Sequence, residues 1–242
     1  MQHKTSEELI RAYCHQFSIP EEYFFEILRD SKVIPMIRGK GTEYNAYLYV
    51  QKTLASQVWN VQKLNIAATP GTPDRDLDIT HRRANITIKA EVKNAVRGKM
   101  TAGGRSRNHP GIPHFTVKCH RSRSHTTNVN NDRYTTDNFD LIITNPSNAL
   151  FKGGTIGEEF EFVDDAKTVE MLRSYYQAKT NEELLIKTDQ DWRFAFSADI
   201  ADATGVIPRT PAVYLKNDPH WFGPQELSAR LGEWVKQKHQ RR

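Results

Sequence analysis

Pro73-Asp74-Arg75-Asp76-Leu77-Asp78-Ile79 and, after a short polar turn, Ile86-Thr87-Ile88-Lys89-Ala90-Glu91-Val92-Lys93 decide how this chain reads. Residues 86–93 are β-branched and alternating, which is the pattern of a strand whose successive side chains point to opposite faces. Glu91 and Lys93 therefore share a face. With Ala84-Asn85 as a two-residue turn, Arg83 sits opposite Ile86. Counting back along the antiparallel pair then puts Asp78 opposite Glu91, roughly 4.5 to 5.5 Å away at Cβ. Asp76 has the same face parity as Asp78, so the choice between the two rests on register, and this count favours Asp78.

Two carboxylates that close repel each other unless a cation lies between them. Oxygen-only ligands suit Mg²⁺, which keeps several waters and is held by one or two carboxylates plus substrate phosphate. The strand also offers the Val92 carbonyl. Lys93 can approach a metal-bound water, position it or take its proton, and offset charge building on a phosphate. The plainer reading is that Glu-Val-Lys is ordinary solvated strand patterning. The aspartate on the facing strand and the basic segment that follows favour the chemical reading.

These residues resemble the PD-(D/E)XK nuclease superfamily, whose members include most type II restriction endonucleases. Asp78 stands for the first aspartate of that motif, Glu91 for the second acid and Lys93 for the lysine, all within residues 73–93. The Pro73-Asp74 pair lies upstream of the best-placed acid, a departure that bears on which aspartate binds metal. The resemblance implies an α/β, restriction-endonuclease-like fold, a central mixed β-sheet flanked by α-helices. It also implies Mg²⁺-dependent hydrolysis of double-stranded DNA, with Asp78, Glu91 and the Val92 carbonyl as metal ligands. Many members carry a glutamate on the helix before the hairpin, and Glu43 matches that place. Gly41-Thr42-Glu43-Tyr44 opens a helical pattern running to about Ser56 with Thr42 as cap, and Glu43 lies on the stripe of Tyr47, Val50 and Leu54. An acid in a first helical turn is also favoured by the helix dipole alone.

The 242 residues suit a single domain over 1–242, with N-terminal helices and a C-terminal extension. The net charge of +5 is unevenly spread: Lys89 to Arg133 holds ten Lys/Arg against Glu91 and Asp132, a nucleic-acid footprint beside the proposed site. Arg97, Lys99, Arg105, Arg107, Lys118, His120, Arg121, Arg123 and Arg133 are the expected DNA contacts, with Arg and Asn the types best suited to bidentate base reading. A solvated loop would share that composition. His109, His114, His120 and His125 fit no zinc spacing, and Cys14 and Cys119 lie far apart. Two cysteines with no signal peptide or long apolar run imply a reduced, soluble, cytoplasmic protein with no membrane partner.

Scaffold helices are expected over Ser6 to Phe17, Glu21 to Asp30, 164 to 175 and 224 to 238. Strands are expected near 58–66, 139–144 and on either side of Gly153-Gly154. Asp191-Trp192-Arg193-Phe194-Ala195-Phe196 reads as core with snorkelling arginine rather than as a base-stacking surface. With no G-x-x-x-x-G-K-[ST] loop, the expectation is a type II restriction endonuclease, a homodimer where the site is palindromic. A repair, recombination or mobile-element nuclease, or a non-catalytic nucleic-acid-binding module, is the alternative.

Overall fold

A computed structural model of the chain describes residues 5–30, 32–64, 75–101, 113–120, 132–153, 160–162 and 165–240. Helices α1 (Ser6–Phe17), α2 (Phe24–Arg29) and α3 (Ile34–Thr53) precede β1 (Trp59–Lys63), β2 (Leu77–His81), β3 (Ile86–Val92), β4 (Ala95–Thr101) and β5 (His114–Val117). Then follow β6 (Leu141–Thr144), β7 (Phe151–Gly153), β8 (Phe160–Phe162), α4 (Ala166–Tyr176) and α5 (Asn181–Gln190). The chain continues through β9 (Arg193–Phe196), α6 (Ser197–Ile200), β10 (Ala212–Tyr214) and α7 (Pro224–Gln240).

β1, β2 and β3 form an antiparallel meander, β6 joins parallel to β3, and β9 pairs antiparallel with β6. The result is a mixed sheet ordered β1-β2-β3-β6-β9. A parallel neighbour cannot be reached by a tight turn, so the chain needs a long crossover from β3 to β6. That crossover carries β4 and β5, which join β10 in a second sheet ordered β10-β5-β4.

Alternation along β3 and β6 serves two cores. Ile86, Ile88, Ala90 and Val92 pack with Ala46 and Val50 of α3 and with Leu227, Leu231 and Val235 of α7. Ile142 and Ala195 face the other way, into a core with Phe115 and Val117 of β5, Leu172 of α4 and Leu184 of α5. By the same alternation Glu91 turns toward this second side, where it is 6% exposed. The α/β class and the mixed sheet agree with the sequence reading. Trp192, Phe194 and Phe196 are buried, as the core reading of that segment requires.

Two local expectations are corrected. The β2–β3 connection is four residues, Arg82 to Asn85, between the pair His81↔Ile86, so Asp78 pairs with Lys89 and not with Glu91. A two-residue type I′ turn needs positive φ at both central positions. Asn85 takes it at 49°, but Ala84 does not; the Ala84 N–H instead donates to Nδ1 of His81 at 3.1 Å. A methyl-bearing alanine pays a steric cost in the left-handed region that asparagine tolerates, so the loop lengthens and the register slips by two.

The second correction concerns the helix of Glu43. α3 begins at Ile34 with a proline in its first turn, not at Gly41. The Thr42 hydroxyl donates back to the Arg38 carbonyl at 2.9 Å rather than capping a terminus. Gly39 and Gly41 are helical despite their propensity, and a methyl at either would meet no atom within 4 Å. No helix among the described residues is long and apolar enough to cross a membrane.

Candidate active site

The hairpin register delivers Asp76, one residue ahead of β2, to the Glu91 end of β3. The Asp76 N–H donates to the Ala90 carbonyl at 2.9 Å, and Oδ2 of Asp76 accepts the Val92 N–H at 2.9 Å. These two bonds straddle Glu91 in sequence, so the Asp76 carboxylate is held beside it by backbone on both sides. Glu91 Oε1 takes the ammonium of Lys93 at 2.6 Å. Lys93 Nζ also donates to the Tyr134 hydroxyl at 3.0 Å and stands 4.6 Å from its ring centroid.

Glu43 approaches from α3. Its carboxylate accepts Lys40 Nζ at 2.7 and 2.9 Å and Lys63 Nζ at 2.9 Å. Lys63 is an inward-pointing residue of β1 whose side chain is only 6% exposed, and its ammonium also donates to the Leu64 carbonyl. A lysine so placed must be paired or lose its charge; Glu43 is its partner.

The charges respond to one another. Burial first, then the negative charges of Glu91 and Glu43, push the Asp76 carboxyl up to about 7, against the Val92 N–H and Lys93. Burial works against the Lys93 ammonium, but Glu91 and Tyr134 outweigh it and hold the proton on. Burial likewise opposes ionisation of Glu43, and the two lysines overcome it, leaving Glu43 below the usual carboxylate range. Lys40 feels Asp76 and Glu91 as well as Glu43. Three carboxylates and two of the lysines thus share one field.

Asp78 stands apart from that field. Burial raises its pKa, and the charges that act on it are Arg75, with Nε at 3.2 Å, and Lys89. Of the sequence-derived set, Glu43, Glu91, Val92 and Lys93 come together and Asp78 does not; Asp76 occupies its expected place. Pro73 and Asp74 lie outside the described residues.

Among the described residues no three His, Cys, Asp or Glu side chains converge into a preformed cage. Asp76 and Glu91 are the two neighbouring carboxylates that could serve a cation, and Mg²⁺ is commonly held by one or two. The mutual repulsion felt by Asp76 is what such a cation would relieve.

Of the expected DNA contacts, Arg97 and Lys99 lie on β4, while Lys118 and His120 follow β5. His120 forms an antiparallel bridge with Arg133. Lys99, Lys118 and Arg133 are exposed, and Arg97 and His120 half-buried. Arg105, Arg107, Arg121 and Arg123 lie outside the described residues. A cavity of about 740 Å³ lined by Tyr23, Glu26, Ile27, Arg29, Asp30 and Val33 holds none of the acid cluster.

Lys40, Lys63 and Tyr134 are site neighbours the sequence reading passed over. Lys63 could have been found, because Trp59, Val61 and Lys63 share the inward parity of β1. Tyr134 carried no local signal. No protein-family model, curated protein or solved structure matches this chain, so what it can do chemically rests on its own side chains.

Proposed function

We propose that the chain is a Mg²⁺-dependent, sequence-specific endonuclease of the PD-(D/E)XK type, in its type II restriction form, hydrolysing phosphodiester bonds of double-stranded DNA. The observation that carries this reading is Asp76 held by backbone bonds on either side of Glu91, with the Lys93 ammonium on Glu91 and Glu43 near enough for its charge to be felt; burial first, then the charges of Glu91 and Glu43, push Asp76 up to about 7. Support also comes from the order of elements: a glutamate-bearing helix, an acid-bearing hairpin and a mixed sheet, as a restriction-endonuclease-like fold would have them.

Asp76 and Glu91, with the Val92 carbonyl, would hold the metal, which supplies an acidified water and neutralises phosphoryl charge. Lys93 is an N–H donor to a phosphoryl oxygen on which charge develops, and Tyr134 fixes the direction of its ammonium. Glu43, anchored by Lys63, adds negative charge that steadies a cation near Asp76. In the reaction a water oxygen bonds to phosphorus while the bond to the leaving sugar oxygen breaks and that oxygen takes a proton. Lys99, Lys118 and Arg133, exposed on or beside the second sheet, are cations for the DNA backbone. A homodimer fits this reading where the recognised sequence is palindromic.

Digestion of plasmid DNA with Mg²⁺, followed by sequencing of the ends, is the test. Discrete cut sites are expected, abolished in Asp76→Ala and Glu91→Ala but retained in Asp78→Ala. Scattered cleavage would favour a repair or recombination nuclease. Binding without any cleavage would leave a non-catalytic module.

A further inference from the structure

Three segments meet beside Lys93 and bring together an arginine and an aspartate from distant parts of the chain. β5 runs on through Lys118, Cys119 and His120, and the Lys118 N–H donates to the Asn94 carbonyl at 3.1 Å, one residue past Lys93. The Val117 N–H donates to the Pro211 carbonyl at 3.0 Å and the Cys119 N–H to that of Arg209 at 2.8 Å, so residues 209–211 lie along this strand end. His120 bridges Arg133, and the Ile207 N–H donates to the Tyr134 carbonyl at 2.9 Å, which sets residues 132–134 against both neighbours. Within that third segment, Tyr134 is buried and its hydroxyl accepts from Lys93, whereas Arg133 is exposed.

Across these segments Arg209 grips Asp132, 77 positions away in sequence. Its Nε donates to Oδ1 of Asp132 at 3.2 Å and a terminal guanidinium nitrogen donates to Oδ2, so the planar fork is presented to the carboxylate. Two oxygens of a phosphate accept the same fork by paired, charge-assisted bonds. The ion pair is at the surface, with 57% of the Arg209 side chain and 20% of that of Asp132 exposed. Such a pair adds little to the fold, so a competing anion can take the arginine from it. Lys118 and Arg133 are exposed on the same segments, and together with Arg209 they suit a polyanion better than a single small ion.

We propose that Asp132 stands in for a nucleic-acid phosphate: in the unbound protein it occupies the fork of Arg209, and on binding a backbone phosphate displaces it. Arg209 is thereby a further DNA contact, and Asp132 a built-in competitor that sets how tightly a duplex is held. The identity of the ligand rests on the nuclease reading, while the exchange is measured without metal or cleavage.

The experiment is binding of a short duplex by the full chain in EDTA across a salt series, for the parent, Asp132→Asn, Arg209→Ala and the double variant. Arg209→Ala should flatten the slope of log affinity against log salt by about 0.9 and lower affinity at fixed salt on the order of tenfold, as the loss of one phosphate contact does. Asp132→Asn should raise affinity several-fold, because the fork no longer has to leave a partner. That gain should be larger with Arg209 present than in the Arg209→Ala background, which the double variant measures. An equal gain in both backgrounds would mean that Asp132 acts through its field alone and overturns the exchange. So would a loss of affinity in Asp132→Asn, an Arg209→Ala variant that binds like the parent, or a parent that binds no duplex. Arg209→Lys guards against misfolding: it should keep the slope and lose part of the affinity, because charge remains while the planar fork is gone. At matched ionic strength, inorganic phosphate should compete no better than chloride; competition that disappears in Arg209→Ala would mean a free phosphate ligand and would overturn the backbone assignment. Binding with the expected pattern but no cleavage in Mg²⁺ keeps the exchange and removes the nuclease. Cleavage by a protein whose Arg209→Ala variant binds like the parent does the reverse.

Discussion

Replacing Asp76 by Asn should stabilise the metal-free protein at high pH, although Asp76 is one of the proposed metal ligands. A carboxyl that titrates near 3.9 in an unfolded chain is pushed up to about 7 in the fold by burial, Glu91 and Glu43. The folded state therefore binds the proton more tightly than the unfolded state. Between those two values stability falls as pH rises, by about 1.4 kcal/mol per unit, and above pH 7 the whole penalty of about 4 kcal/mol is present. Asn keeps an oxygen for the Val92 N–H and has no charge to repel. In urea unfolding with EDTA, the difference between Asp76→Asn and parent should thus widen by about 2 to 3 kcal/mol from pH 5 to pH 8. Histidines common to both proteins cancel in that difference. With Mg²⁺ at 100 times its dissociation constant, the parent alone should regain about 2.7 kcal/mol at pH 8. Parallel stability curves for the two proteins across this range would refute the electrostatic account of the cluster.

Lys93→Ala should slow single-turnover cleavage by about 10² or more while Ca²⁺-supported DNA binding changes far less; the reverse pattern would make Lys93 a phosphate anchor. Lys63→Met should destabilise the protein by about 1 to 3 kcal/mol, because it strips one partner from the half-buried Glu43 while Lys40 remains. Adding Glu43→Gln should recover part of that loss, and a double-mutant cycle in urea with a coupling energy near zero would dissolve the pair. Gly41→Ala should raise stability by about 0.5 to 1 kcal/mol, since the helical backbone is already in place and the methyl meets nothing. A loss of stability in urea unfolding would mean that the face of α3 around Gly41 is covered.

Side-chain parity was legible in the sequence and register was not. The alternation of 86–93 put Glu91 and Lys93 on one face, and both meet there in the fold. Which aspartate joined them hung on whether Ala84 could enter the left-handed region, a matter of a single Cβ. The start of α3 was hidden by Gly39 and Gly41, which read locally as breakers and are carried through by Ala46 and Val50 burying against the sheet. α5 was not anticipated, because its apolar spacing is short and interrupted by charge, although Thr180 caps it through the Glu183 N–H. The Lys93–Tyr134 contact spans 41 residues of crossover, and no local pattern encodes so distant a meeting. The base-reading assignment of Arg105, Arg107, Arg121 and Arg123 concerns residues outside the described structure.

The four-residue turn also bears on how this hairpin tolerates insertions and deletions. Asp76 and Asp78 lie two positions apart, so the hairpin carries a second acid in step with its own pleat. Removing one residue from the 82–85 loop would turn Leu77 and Ile79 out of their core and reverse every carboxylate at once. Adding two would leave apolar residues facing the core, and would slide Asp78 toward the place Asp76 now holds. Length changes in this loop should therefore follow an odd–even rule, with even changes surviving as functional variants and odd ones failing to fold.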